Sequence, residues 1–152
     1  DNIFLPLVLS GKSYEEMSGR LKPIAEKLGI SQILGKFPYE ISGGQKQRVA
    51  IAKGLALGSK IIMMDEPFAA LDAMTRKQLQ AELIKIKEKE KMTVLFITHN
   101  IQEAISLGNR IMVMSKEGVI KEHLYNPVKK PVTPVSEGYG ELWQHLNELL
   151  TD

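Results

Sequence analysis

The chain has 152 residues, 43% of them hydrophobic and 25% charged, which is enough apolar material for the core of one globular domain and carries no bias toward disorder. A net charge of +2 with interspersed basic and acidic residues gives no reason to expect a nucleic acid or an anionic membrane surface, and zero cysteines exclude disulfide frameworks and thiolate metal sites, as suits a reducing compartment. No apolar run reaches the roughly 20 residues of a membrane helix and no signal peptide is visible, so any membrane role is expected to run through a partner.

The chain opens at Asp1-Asn2-Ile3 without methionine, as a fragment or processed chain would. Ser10-Gly11-Lys12-Ser13 holds the Gly-Lys-Ser that ends a phosphate-binding P-loop, but Pro6 stands where the first glycine is required. Proline offers no N–H to a phosphate, and Asp1 to Leu5 is too short for a full buried strand ahead of it. The stretch therefore reads as a loop feeding a helix. Ser13 caps, Glu16 completes a capping box, and Tyr14, Met17, Leu21, Ile24 and Leu28 form an apolar stripe up to Gly29. Pro23 predicts a kink or break near Lys22. Ser31 to Tyr39 then leads through Pro38 into the next helix.

That helix is predicted from Gly43 to Leu57, with Ser42 and Gln45 spaced as a second capping box. Gly43 and Gly44 fall in its first turn, where each costs about 1 kcal/mol against alanine. The compensation inferred is access: without Cβ atoms, the first-turn N–H groups and the helix dipole can receive an anion. Ile61 to Met64 follows as an apolar run expected of a strand covered on both faces, ending in Asp65 and Glu66. Ligands of open α/β sheets gather at such carboxyl ends. Asp72 suits the N-cap of a helix over Thr75 to Lys89 with Leu79, Leu83 and Ile86 inward, and the charges of Lys85 to Lys91 read as a solvated face. Thr93 to Thr98 is a second strand, apolar on both faces, that delivers His99.

Arg110 to Ser115 and Val119 to His123 read as an antiparallel hairpin turning at Lys116-Glu117-Gly118, and Pro127, Pro131 and Pro134 as a stiff linker without site chemistry. Tyr139, Leu142, Trp143, Leu146, Leu149 and Leu150 make the stripe of a last helix, with Trp143 in the core. His123 and His145 stand in no comparable context.

Ile41 to Gln45 resembles the signature motif of ATP-binding cassette (ABC) ATPases, with Ile41 in place of the usual leucine. Ile61 to Glu66 is similar to their Walker B strand, Ala70 to Asp72 to their D-loop, and His99 after Phe-Ile-Thr to their switch histidine. Pro67 to Gln80 is most similar to the subfamily serving nitrate, sulfonate and taurine importers. The resemblance implies an α/β fold: part of a P-loop NTPase (RecA-like) parallel sheet with flanking helices and a small helical subdomain, missing the N-terminal P-loop strand and the glutamine loop. It divides the chain into a helical subdomain over 1–58, core over 59–126, and linker with terminal helix over 127–152, with Asp152 close to a natural end.

By the same resemblance, Ser42, Gly43, Gly44 and Gln45 contact ATP held by a second cassette, Asp72 crosses the dimer interface, Asp65 binds Mg²⁺ through water, Glu66 activates the attacking water and His99 meets the γ-phosphate. The implied protein is a nucleotide-binding subunit, a homodimer on transmembrane permease subunits at the cytoplasmic face of the membrane, coupling ATP hydrolysis to uptake of a solute such as a nitrate-, sulfonate- or taurine-like anion. By itself the chain is expected to bind ATP poorly. A second reading is a non-hydrolysing module that donates its signature to a partner cassette. A third, an ATPase acting on DNA or ribosomes, is opposed by the lack of long heptads or a second cassette. In the family's sheet the missing strand lies between those matching Thr93 to Thr98 and Arg110 to Ser115. The gap is expected to close directly, to be filled by a strand from Asp1 to Leu9, or, as favoured here, to be covered by another copy of the chain.

Overall fold

A computed structural model describes residues 3–69 and 71–151, without the side chain of Pro6. Two compact units divide the chain, one within Asp1–Ile97 and one within Thr98–Asp152.

The first unit begins with helix α1, Leu5–Leu9, so the strand considered for Asp1 to Leu9 is not formed over its described part. Helix α2 spans Tyr14–Lys27 behind the expected capping box: the Glu16 amide donates to Ser13 Oγ at 3.3 Å and the Ser13 amide to Glu16 Oε2 at 3.0 Å. The break expected at Pro23 does not occur. Pro23 lies on the exposed side of α2, while Met17, Leu21 and Ala25 are buried on the other, and that packed face carries the helix across the one missing N–H. Tyr14, expected in the same stripe, is 70% exposed. Two short 3-10 turns, Ser31–Ile33 and Pro38–Glu40, lead to helix α3, Gly43–Ala56.

α3 packs against α2 and against helix α4, Ala73–Glu90. It also presses on strand β1, Ile61–Asp65: a Cβ added to Gly54 would stand 2.9 Å from Ile62 Cδ1. β1 pairs in parallel with strand β2, Thr93–Ile97, in register Ile61↔Thr93 through Asp65↔Ile97. Coverage on both faces, expected from the apolar runs, is corrected. Ile62 is buried under α3, but Ile61, Met63 and Ile97 on the opposite face are 60%, 73% and 61% exposed. A continuous apolar run says that both faces can be covered; what covers them is set by the elements packed there, and here α3 takes one face. α4 begins at the Asp72 cap, buries Leu79 and Leu83, and ends at Lys91 in the left-handed region.

In the second unit, helix α5 (Ile101–Leu107) precedes strands β3 (Arg110–Met114) and β4 (Ile120–Tyr125), an antiparallel pair with a bulge between Val113 and Met114. Helix α6, Tyr139–Thr151, closes it. The core joins Ile105, Ile111, Val113, Val128, Tyr139, Leu142 and Leu146. Trp143, expected inside, is 41% exposed, because the buried stripe of α6 runs through 139, 142 and 146. The linker does more than space. Asn126 Nδ2 donates to the carbonyls of Ile105 and Gly108 at 2.6 and 2.9 Å, and Lys130 Nζ to that of Leu107, so three carbonyls at the C-terminal end of α5 are satisfied. Among the described residues each unit holds its own two-stranded sheet, β1 with β2 and β3 with β4. No described helix is long and apolar enough to cross a membrane.

Candidate phosphate and water site

Ser42 is extended at φ −68° and ψ 163°, and accepts the Gln45 amide on Oγ at 3.3 Å, while the Ser42 amide donates to Gln45 Oε1 at 2.9 Å. The oxygen of Gln45 is thus committed to holding the cap. No acidic residue sits in the first turn of α3, whereas α2 carries Glu15 and Glu16 there. The positive end of the α3 dipole is therefore left for an outside anion. Ser42 and Gly43 are exposed, as that role requires.

Gly44 differs from the sequence expectation. It is buried, and an added Cβ would fall 2.6 Å from Thr75 Cγ2 and 3.9 Å from Leu71 Cδ2. Its missing side chain makes room for α4, a packing reason for glycine beside the access of its N–H to an anion. The same contact joins two of the expected sites, because Thr75 is capped by Asp72: Asp72 Oδ1 accepts the amides of Met74 and Thr75 at 3.1 and 3.0 Å. The Thr75 hydroxyl, then the Thr75 and Met74 amides, hold the Asp72 carboxyl below its ordinary value. Ala70, which opens the expected D-loop, lies outside the described residues.

Asp65 and Glu66 are both exposed at the carboxyl end of β1. The Glu66 amide donates to the Ile97 carbonyl at 2.9 Å, continuing the parallel ladder one step past the strand. Glu66 then turns to φ 43°, a left-handed conformation rare for a side chain of this kind and less favourable still ahead of Pro67. Buried Phe68, edge-on to Phe96 with ring centroids 6.3 Å apart, anchors the turn from below. Strain of this sort persists where packing over-determines it, and it aims a carboxylate off the strand end. No cluster of three or more histidine, aspartate or glutamate side chains able to hold a metal occurs among the described residues. One exposed carboxylate at a strand end suits a Mg²⁺ that keeps its waters and takes its remaining oxygens from phosphate.

His99 is exposed and belongs to the second unit, two residues beyond Ile97, the partner of Asp65 in the ladder. Two residues beside it were missed in the sequence. Glu103, the buried charged residue at the start of α5, and Thr98 are hydrogen-bonded through Glu103 Oε2 and Thr98 Oγ1 at 2.7 Å. The Asn100-x-x-Glu103 spacing was the available signal for Glu103; nothing marked Thr98.

A family profile described as ABC transporter matches residues 2–69. A taurine import ATP-binding protein of Rhizobium johnstonii is 45% identical over 115 residues, 76% of this chain and 44% of that protein. An ABC transporter ATP-binding protein of Methanocaldococcus jannaschii is 40% identical over 152 residues, 99% of this chain and 57% of that protein. The chain thus spans about half the length of the curated relatives it matches. Among solved structures, the dimeric post-hydrolysis state of an ATP-binding cassette bound to ADP and Pi aligns with a TM-score of 0.67 at 34% identity, covering 82% of this chain and 54% of that one. By sequence and by fold, this chain belongs to the ABC transporter ATPase family, with the P-loop NTPase fold of its cassettes.

Proposed function

We propose that the chain provides the signature, Walker B and switch elements of an ATP-hydrolysing subunit of an importer. The observation that carries this is Glu66, exposed at the carboxyl end of β1 and held at φ 43° with its amide tied to β2. In this reading Glu66 takes the proton of the attacking water, the division of labour usual in nucleotide hydrolysis. Asp65 would hold Mg²⁺, which when bound would supply charge neutralisation at the phosphate oxygens. Ser42, Gly43, Gly44 and Gln45 form the anion-facing tip of α3, with Gly44 also fixing that tip against α4. Asp72 meets the second cassette and His99 the γ-phosphate. The functional division is 1–58, 59–126 and 127–152.

The partners proposed are a second cassette, in a homodimer, and transmembrane permease subunits, which place the protein peripherally at the cytoplasmic face of the membrane. The solute class proposed is a small nitrate-, sulfonate- or taurine-like anion, supported by the Pro67 to Gln80 resemblance and the taurine import relative. A non-hydrolysing donor of the signature is the second reading. It is favoured for the chain by itself, because Ser13 is spent on the α2 cap and the Lys12 amine lies 3.6 Å from Glu16.

The test is Glu66→Gln in a cassette that supplies a P-loop segment ahead of this sequence. Turnover should fall by about 10²-fold or more with nucleotide still bound, since shape is kept and the base is lost. Unchanged phosphate release would remove Glu66 from the chemistry and leave the signature-donor reading.

A further inference from the structure

Helices α2, α3 and α5 each start with a residue pair three apart that bonds reciprocally or nearly so, and α5 differs from the other two. In α2 and α3 the side chain at the third position, Glu16 or Gln45, reaches the N-cap amide directly. In α5 it does not. The Glu103 amide donates to Asn100 Oδ1 at 3.2 Å as expected of a cap, but the Asn100 amide donates to Thr98 Oγ1 at 3.1 Å, and that hydroxyl donates in turn to Glu103 Oε2 at 2.7 Å. A hydroxyl has been inserted into the box as a relay. The cap therefore reaches back two residues, and His99 is the residue enclosed between its ends.

Resting on the γ-phosphate role given to His99 above, we propose that Glu103 is a positioning residue for His99, acting through the Thr98 hydroxyl. A direct box between Asn100 and Glu103 would serve the helix equally well and would leave the backbone at 98–99 to itself. The relay ties the residues on both sides of His99, Thr98 by its hydroxyl and Asn100 by its amide. Glu103 as a residue is 7% exposed, an expensive placement for a charged side chain on a helix that needs only a cap. Charge-assisted O–H···O bonds of this length are among the stiffer ones available. Anchoring continues at the far end of α5, where Asn126 and Lys130 hold the carbonyls of residues 105, 107 and 108. A seven-residue helix tied at both ends is a rigid mount for the residue just ahead of it.

The experiment has two arms. In this chain, ¹⁵N relaxation of the His99 amide should give an order parameter near the rigid value of about 0.85, falling below about 0.6 in Thr98→Val and Glu103→Ala and returning in Thr98→Ser. In a cassette with a P-loop segment, Thr98→Val should lower kcat about tenfold with KM for ATP unchanged, as small misplacement of a reacting group does, and Thr98→Ser should restore it. In a His99→Ala background the same Thr98→Val change should lower kcat no further. A full tenfold loss in that background would show that Thr98 and Glu103 act independently of His99 and would overturn the proposal. If His99→Ala alone leaves turnover unchanged, the functional reading of His99 falls. The mount is then judged by relaxation, and an unaltered His99 order parameter in both variants would overturn it.

Discussion

Gly44 and Thr75, 31 positions apart in sequence, meet where the first turn of α3 crosses the first turn of α4, and a methyl group on Gly44 would lie 2.6 Å from Thr75 Cγ2. Gly44→Ala gains helix propensity but must move Thr75, and overpacking of this kind outweighs that gain, for a net loss of about 1–2 kcal/mol. Thr75→Ser removes the colliding methyl, so the double variant should recover most of the stability in denaturant titration. Equal losses with and without Thr75→Ser would show that the two side chains do not compete for one space.

Glu66 provides a comparison that cancels its side-chain contacts. Glu66→Ala and Glu66→Gly both remove the carboxylate, but only glycine occupies φ 43° without strain. The glycine variant should be the more stable by about 1 kcal/mol, the reverse of the usual order in a helix. Thermal unfolding of the pair checks this, and a more stable alanine variant would mean that the turn relaxes in solution.

The Gly11-Lys12-Ser13 stretch should have no nucleotide role. Calorimetric titration of the 152-residue chain with Mg-ATP should show weak binding and no measurable turnover, and Lys12→Ala should change neither. Micromolar affinity lost in that variant would restore the P-loop assignment.

Asp72 should contribute to stability in a pH-dependent way. Its folded carboxyl is held below the ordinary value of 3.8, so the contribution is complete above that pH and is lost as pH falls through the lower folded value. Asp72→Ala should lower the unfolding midpoint by a few degrees at pH 7, and the gap between variant and parent should narrow below about pH 4. A gap independent of pH from 7 to 2 would separate the cap from the charge.

The exposed face formed by Ile61, Met63, Leu95 and Ile97, next to a β2 edge that pairs with no further strand among the described residues, should drive self-association of the 152-residue chain. Sedimentation should show species larger than the monomer, with Met63→Lys shifting the distribution toward monomer. A monomer at all concentrations would contradict edge pairing.

Local rules were legible from residues alone. Both direct capping boxes, the Asp72 cap and the β3–β4 hairpin follow from spacings of two to five residues, within reach of sequence inspection. What escaped depends on partners far away in the chain. The closeness of Gly44 to Thr75 cannot be read from Ser-Gly-Gly-Gln, so the packing reason for that glycine is invisible in the sequence. The apolar runs of β1 and β2 said nothing of which face α3 would cover. Pro23 was weighed by its local penalty, although the buried side of α2 decides its course. Trp143 was placed inside by stripe membership, while α6 buries a narrower stripe. The relay through Thr98 was hidden because its signal is a departure from a familiar spacing.

The contact of Gly54 with Ile62 has a mechanical side. Gly54 adds no side chain of its own, so only the Ile62 side chain stands between α3 and β1 there, and the contact is a geometric fulcrum for the helix. The Ser42 tip lies twelve residues away, about 18 Å at 1.5 Å per residue, so a rotation of about 5° at the fulcrum moves the tip by about 1.6 Å. Ile62 is three residues from Asp65 on the same strand. A larger side chain at that contact, on the strand that ends in Asp65, would therefore displace the Ser42 tip further than the contact itself.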